Sequence, residues 1–183
     1  MFFKNSVLLH GLRVACMSNR LSKILNISAK IRINIFIGAM FHDIGKFKIN
    51  RRILDKPDKL SCEEFEIIKT HTDLNLKYVK NKVIKNIILY HHENADGSGY
   101  KGMTNIPYEA KIIRICDIFD ALTHNRVYHN KISDLEAIIV MTKEMKNFDT
   151  FIFNQFVKII LKSDKSYNPS YNPYLKNSLN DVQ

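Results

Sequence analysis

The chain has 183 residues, of which 45% are hydrophobic and 25% charged, the proportions of an ordinary globular domain with its own core. No apolar run reaches the ~18 residues of a membrane-spanning helix, and the N-terminus lacks a signal-peptide cleavage pattern, so we expect a cytoplasmic protein without a membrane partner. The net charge of +10 favours an anionic ligand, but the basic residues are too scattered to indicate a nucleic acid polymer.

In the first half of the chain, apolar residues recur at the spacing of amphipathic helices. The first helix is predicted from about Ser6 to Leu25, and the second from about Arg32 to Ile44, where Gly45 would stop it. One stripe of the first helix is expected to face the core: His10, Val14, Met17, Leu21 and Ile24. The segment 47–59 is predicted to be mostly loop, with one helical turn at 51–54.

The second half of the chain is also predicted to be helical. A capping box at Ser61 begins a helix whose inner face would extend as far as Tyr78. The members of that face are Ile67, Ile68, His71, Leu74 and Tyr78. Further helices are predicted over about 81–92, 107–123, 133–146 and 150–161, with Pro107 and a second capping box at Ser133 as start signals.

No strand is expected, so the sequence predicts an all-α fold of about seven or eight helices. It divides into one domain over residues 1–162 and a tail over 163–183. The tail is rich in Asn, Ser and Pro, and we expect it to be disordered.

Five of the seven histidines fall on or beside the core-facing sides of these predicted helices. They are His10, His42, His71, His91 and His92, and the carboxylates of Asp43 and Asp117 are placed in the same way. A single buried histidine is more often a hydrogen-bonded core residue than a ligand. Seven buried polar side chains at the ends of different helices would each be costly to leave without a partner. A shared metal centre would give all seven a partner at once.

The ligand types narrow the choice of metal. Nitrogen and oxygen ligands without thiolate suit iron, manganese or zinc in an open catalytic site, and seven ligands exceed the needs of one tetrahedral ion. We therefore predict two ions about 3.5–4 Å apart, bridged by Asp43. One ion would bind His10, His42, Asp43 and Asp117, and the other would bind Asp43, His71, His91 and His92. The adjacent histidines can reach one ion because their helix ends there.

Four stretches, taken in order, resemble a known family. His42-Asp43-Ile44-Gly45-Lys46 is followed by KPDKLSCEEFEIIKTH, then by HHENADGSGY, and then by ICDIFDALTHNRVY. Together they resemble the HD-GYP domain, a branch of the HD phosphohydrolase superfamily, over about residues 6–162. The resemblance implies an HD-domain helical bundle with a bi- or trinuclear iron or manganese centre. Ser6 stands where some members supply a glutamate to a third ion, which favours two ions here.

The resemblance also implies an activity. The protein would be a phosphodiesterase of bacterial second-messenger signalling that hydrolyses cyclic di-GMP to pGpG or GMP. A hydroxide bridging the metals would attack phosphorus, with Asp43 as the bridging carboxylate. Lys46 and Arg126 match residues that hold the substrate phosphate, and Tyr100 belongs to a loop near the substrate.

Two positions depart from the family pattern. Asn94 stands where the family usually has arginine, and Lys101 replaces the proline of Gly-Tyr-Pro. The lysine would either contact phosphate or face solvent. Two alternatives therefore stay open. In place of a cyclic di-GMP phosphodiesterase, the chain would be an HD phosphohydrolase for another nucleotide, or a non-catalytic module that binds a ligand or a partner such as a diguanylate cyclase domain.

Overall fold

The computed structural model describes residues 2–73, 76–125 and 131–163, with side chains from residue 6 onward. Within these ranges the fold is all-helical, as predicted, and contains eight α-helices. They are Phe2–Ile24 (α1), Ala29–Phe41 (α2), Arg51–Leu54 (α3), Cys62–Lys69 (α4), Lys82–Tyr90 (α5), Tyr108–Thr123 (α6), Asp134–Lys143 (α7) and Thr150–Ser163 (α8). Short 3-10 helices lie at Ile44–Lys48, Thr70–Thr72, Leu76–Tyr78 and Met145–Asn147.

Helix α6 forms the centre of the bundle. It contacts α1, α5, α7 and α8, while α2 packs against both α1 and α5. The apolar residues of α6 are buried on more than one face: Ala110, Ile112, Ile113, Ile115, Cys116 and Phe119. A helix that is apolar on several faces belongs inside a domain. Two acidic residues in the same helix, Asp117 and Asp120, are therefore buried and need polar partners.

The helix starts predicted from local signals are confirmed. The Ser61 hydroxyl accepts the backbone N–H of Glu64, and the Glu64 carboxylate accepts the backbone N–H of Ser61. Ser133 and Glu136 form the second capping box in the same way. Each motif needs only residues three positions apart, so the sequence alone specifies it.

The role predicted for Gly45 is wrong. Helix α2 already ends at Phe41, and Gly45 lies inside the 3-10 helix that follows. A Cβ atom on Gly45 would lie 1.9 Å from the carbonyl oxygen of His71. The glycine therefore allows two backbone segments to approach each other closely.

The predicted inner faces of two helices are partly wrong. Helix α4 ends at Lys69, and a 3-10 turn carries His71, so the face does not continue at the α-helical period. Ile67 is 43% exposed and Tyr78 is 72% exposed, while Leu74 lies outside the described residues. In α1, Ile24 is 46% exposed, whereas Leu21 and Ser22 in the same turn are buried and Leu25 packs against the core, so the inner face of the last turn does not include Ile24.

In the part of the chain that the structure describes, no helix combines the length and apolarity needed to cross a membrane. Helix α8 ends at Ser163, one residue past the predicted domain boundary. The rest of the predicted tail, 164–183, lies outside the described residues.

Candidate metal centre

The seven side chains predicted as metal ligands converge from five places in the fold. Helix α1 supplies His10, and α6 supplies Asp117. The residues that follow α2, α4 and α5 supply the others: His42, Asp43, His71, His91 and His92. All seven are buried except His92, which is half-buried. The structure thus brings the whole predicted set together.

Asp43 lies in the middle of the cluster. Its Oδ1 atom is 3.3 Å from His71 Nε2 and 3.8 Å from His91 Nε2. Its Oδ2 atom is 3.6 Å from His42 Nε2 and 3.8 Å from His10 Nε2. Two groups have the spacing of a metal site, with ligand atoms within 4.8 Å of one another: Asp43, His71, His91 and His92, and His10, His42 and Asp43. Because Asp43 belongs to both groups, its position fits a bridging carboxylate.

Asp117 lies beside the two histidines of the second group. Its Oδ1 atom lies 3.0 Å from His10 Nε2 and 3.8 Å from His42 Nε2. Burial alone would raise the pKa of Asp117, but the contacts with His10 and His42 hold it well below its usual range. The carboxylate is therefore an anion that faces the same two ring nitrogens as Asp43.

Backbone carbonyls orient three of the rings. His42 and His71 each donate from Nδ1 to the carbonyl three residues earlier, at 2.6 and 2.7 Å. His91 Nδ1 approaches two carbonyls of α5 at 3.0 and 3.1 Å. A carbonyl only accepts, so the ring proton sits on Nδ1 and the lone pair on Nε2 faces Asp43.

Several buried polar atoms at the centre have no hydrogen-bond partner among the described residues, including His42 Nε2, Asp43 Oδ1 and His92 Nε2. Leaving such atoms unsatisfied is costly. A cation between them would satisfy the imidazole and carboxylate lone pairs at once, and the outward ring protons are typical of histidines that bind metals. The residues present therefore fit divalent metal ions.

Asp120 was missed by the sequence reasoning. Its Oδ2 atom lies 2.6 Å from His10 Nδ1, and Arg13 donates to both of its oxygens at 2.6 and 2.9 Å. His124 Nδ1 lies 3.1 Å from its Oδ1 atom. Asp120 thus accepts the Nδ1 proton of His10, as backbone carbonyls accept those of His42, His71 and His91. Its only signal in the sequence is its spacing of three residues from Asp117, which places both on one face of α6.

The two sides of the centre differ in proton affinity. On one side, burial opposes protonation of His10, but Asp117 and Asp120 outweigh it and raise its pKa to about 9. On the other side, burial lowers the pKa of His91 to about 4 despite the nearby Asp43. Burial alone would raise the pKa of Asp43, but the Lys46 ammonium and the neighbouring imidazoles hold it well below its usual range.

His92 has a different kind of partner. Its Nδ1 atom lies 3.5 Å from a terminal nitrogen of Arg114, whose other nitrogens donate to Asn94 Oδ1 at 3.0 and 2.8 Å. A guanidinium has no acceptor, so it cannot hold a proton on Nδ1 as a carbonyl does. The sequence reasoning missed Arg114, whose contacts with Asn94 and His92 join residues at least 20 positions apart.

The glycine-rich loop packs over His92. The ring of Tyr100 stacks on that of His92, with centroids 4.3 Å apart and planes at 23°. Glu93 is buried and accepts the backbone N–H groups of Lys101 and Met103 at 2.8 and 2.9 Å. The Lys101 ammonium forms an ion pair with Asp73 at 2.8 Å, a contact that the sequence did not suggest.

Of the two side chains predicted to bind phosphate, the structure describes one. Lys46 Nζ lies 2.7 Å from Asp43 Oδ2, and its side chain is 21% exposed, which places it at the rim of the centre. Arg126 lies outside the described residues. Their contact with phosphate stays a prediction.

Comparison with known proteins identifies the family of the chain. The family model of the HD domain matches residues 4–152. A cyclic di-GMP phosphodiesterase of Thermotoga maritima is 33% identical over 172 residues, covering 88% of this chain and 46% of the relative. The 3'3'-cGAMP-specific phosphodiesterase 1 of Vibrio cholerae is 31% identical over 159 residues, covering 81% of this chain and 37% of the relative. The chain thus spans less than half the length of these two relatives.

A solved structure supports the fold. An HDG"Y"P protein from Bdellovibrio bacteriovorus superposes with a TM-score of 0.67 at 22% identity, covering 84% of this chain and 52% of that protein. The family match extends over most of the chain and includes all seven proposed ligand positions, the six that precede α6 and Asp117 in α6 itself. In agreement with the HD-GYP resemblance of its motifs, the chain belongs to the HD domain family.

Proposed function

We propose that this chain is a metal-dependent phosphodiesterase that hydrolyses cyclic di-GMP to pGpG or GMP. The observation that carries the proposal is the convergence of two histidine and aspartate groups on the shared carboxylate of Asp43. The activity named for the Thermotoga relative supports the substrate class. A cytoplasmic location and a protein partner, such as a diguanylate cyclase domain, stay predictions.

The centre would hold two divalent ions, iron or manganese. His10, His42, Asp43 and Asp117 would hold one, and Asp43, His71, His91 and His92 the other. When bound, the ions would activate a water molecule for attack on phosphorus and offset charge on the phosphoryl oxygens. The absence of thiolate among the described groups suits these metals in a site open to substrate.

The remaining contributions come from the chain itself. Asp43 stays anionic because its pKa is held low, so it supplies negative charge between the two groups. In this structure Lys46 neutralises that charge. With metal bound at the centre, the flexible lysine would be free to leave Asp43 and contact a phosphate at the rim. Arg126 is proposed as a second phosphate contact.

A second cyclic dinucleotide is also a candidate substrate. The relative that is specific for 3'3'-cGAMP matches this chain at 31% identity, close to the 33% of the Thermotoga enzyme. The two substrates share the phosphodiester that the centre would cut and differ in one base. The metal centre therefore does not discriminate between them, and the surrounding pocket would have to.

The test combines metal analysis and turnover on one anaerobic preparation. We expect close to two iron or manganese ions per chain, and hydrolysis of cyclic di-GMP or 3'3'-cGAMP. Asp43→Asn should lose metal and reduce turnover at least about a thousandfold, whereas Asp58→Asn, at an exposed position, should behave like the wild type. Absence of both metal and turnover after reconstitution would overturn the proposal in favour of a binding module.

A further inference from the structure

We propose that Phe65 is a stacking site for one purine base of the substrate, and this inference rests on the proposed function. Phe65, Lys69 and Tyr100 form a small surface beside the metal centre, which we call the aromatic ledge. Nothing in the metal chemistry requires these three side chains. Their arrangement instead matches what a nucleobase needs next to a site that holds its phosphate.

The ledge is built from two rings and one cation. Phe65, on α4, is 41% exposed, and its ring meets that of Tyr100 edge to face with centroids 5.8 Å apart. The Lys69 ammonium lies 5.0 Å from the centroid of Phe65 and 5.7 Å from that of Tyr100. Glu66 holds the ammonium at 2.6 Å. An exposed phenylalanine is thus kept in a fixed setting of aromatic and charged groups.

The ledge is continuous with one half of the metal centre. Tyr100 stacks on His92 at 4.3 Å and meets His71 edge to face at 6.3 Å. Phe65 is therefore only two ring contacts away from a proposed metal ligand. In a cyclic dinucleotide, each base is separated from a phosphate by a single sugar. A phosphate bound at the centre would accordingly bring a base to the region of Phe65.

The chemistry of the ledge favours a base over a purely apolar ligand. An exposed aromatic ring stacks with the π-face of any nucleobase. A lysine beside the rings adds attraction both to π-systems and to a nearby phosphate. The side chain of Lys69 is long enough to move from the Phe65 ring as a base arrives, and it would keep its ion pair with Glu66 on the same helix.

The chain contains no tryptophan, so the ledge can be probed by fluorescence. In the metal-loaded Phe65→Trp variant, cyclic di-GMP and GMP should quench the emission of the single indole within the mixing time, since a stacked base quenches it. Ribose 5-phosphate, which lacks a base, should not. The matched control is Phe151→Trp, at a residue on α8 that is 56% exposed, and its emission should not respond.

Kinetics give the second readout. Phe65→Ala should raise KM for the cyclic dinucleotide about tenfold or more with kcat nearly unchanged, and Phe65→Tyr should restore it. Phe151→Ala should have no effect. Turnover without base-dependent quenching and without a change in KM would overturn the proposal that Phe65 stacks with a base. It would leave the proposed enzyme activity intact. Quenching without turnover would support the ledge and overturn the enzyme proposal, and absence of both would overturn both.

Discussion

At the scale of single residues, the centre depends on hydrogen-bond acceptors that fix where four of its five histidines carry their protons. Backbone carbonyls do this for His42, His71 and His91, and Asp120 does it for His10. Asp120 differs from the carbonyls because it is charged and also binds Arg13. It therefore both orients the ring and makes the outward ring proton harder to lose.

Replacement of Asp120 tests this positioning role. Asp120→Asn keeps the shape of the side chain but removes its charge and turns one acceptor oxygen into a donor, so the amide can no longer accept from both His10 and Arg13 through two oxygens. Metal affinity should fall about 10- to 100-fold, measured by titration of the metal-free protein, with the helix content unchanged. Asp120→Glu should recover part of the affinity. An affinity equal to that of the wild type would show that Asp120 is only structural.

Proton competition should distinguish the two sides of the centre. In the metal-free protein the pKa of His10 is about 9, so at neutral pH its ring is protonated and must release a proton before Nε2 can bind a metal. Affinity on the His10 side should therefore rise about tenfold per pH unit up to about pH 9. The pKa of His91 is about 4, so its ring is already neutral and imposes no such dependence at neutral pH.

Calorimetric metal titrations in buffers of different ionisation enthalpy would count these protons. We expect one of the two metal-binding events to release a proton at pH 7. In the His10→Gln variant, that proton release should be absent. If both events depend on pH to the same extent in the wild type, the assignment of His10 to one side of the centre is wrong.

At the scale of elements, the helix starts that depend on local sequence signals were predictable, and the geometry of the turns between helices was not. The capping boxes at Ser61 and Ser133 depend on neighbours three residues apart, so the sequence contains all their information. At His71 the chain changes from α-helical to 3-10 geometry, and no neighbouring residue in the sequence indicates that change. At that turn His71 packs against the segment that contains Gly45, which is distant in the sequence.

Gly45→Ala tests that packing. The added methyl group would lie 1.9 Å from the carbonyl oxygen of His71, so the two backbone segments would have to separate. We expect a loss of about 1–3 kcal/mol in the free energy of unfolding, together with weaker metal binding. Gly102→Ala is the control. Its strain is local, at φ +67°, so it should cost about 1–2 kcal/mol without changing metal affinity.

At the scale of the whole molecule, the sequence predicted which residues would meet but not how they are supported. Helical periodicity placed seven polar groups on core-facing sides, and an all-helical fold has few ways to satisfy them. The contact of Asp120 with His10 joins positions 110 residues apart, and those of Arg114 with Asn94 and His92 join positions 20 and 22 residues apart. One sequence without a structure contains no signal for such pairs.

Removal of the metals should destabilise the whole domain. The ligands come from α1, α6 and the segments after α2, α4 and α5, so the ions would link most of the bundle. A thousandfold excess of metal over its dissociation constant corresponds to about 4 kcal/mol. Chelation should therefore lower Tm by several degrees in the wild type. Asp43→Asn should already have the lower Tm and not respond to chelator.

The position of Asp43 between the two groups has a consequence for how the centre fills. Each of its oxygens faces a different set of rings, so charge bound by one set would alter the carboxylate that the other set shares. The first ion would thus set the affinity for the second, and by reciprocity the second would set that for the first. With two ions bound as proposed, their occupancies would form a single coupled equilibrium, and the free metal concentration at which activity begins would depend on both.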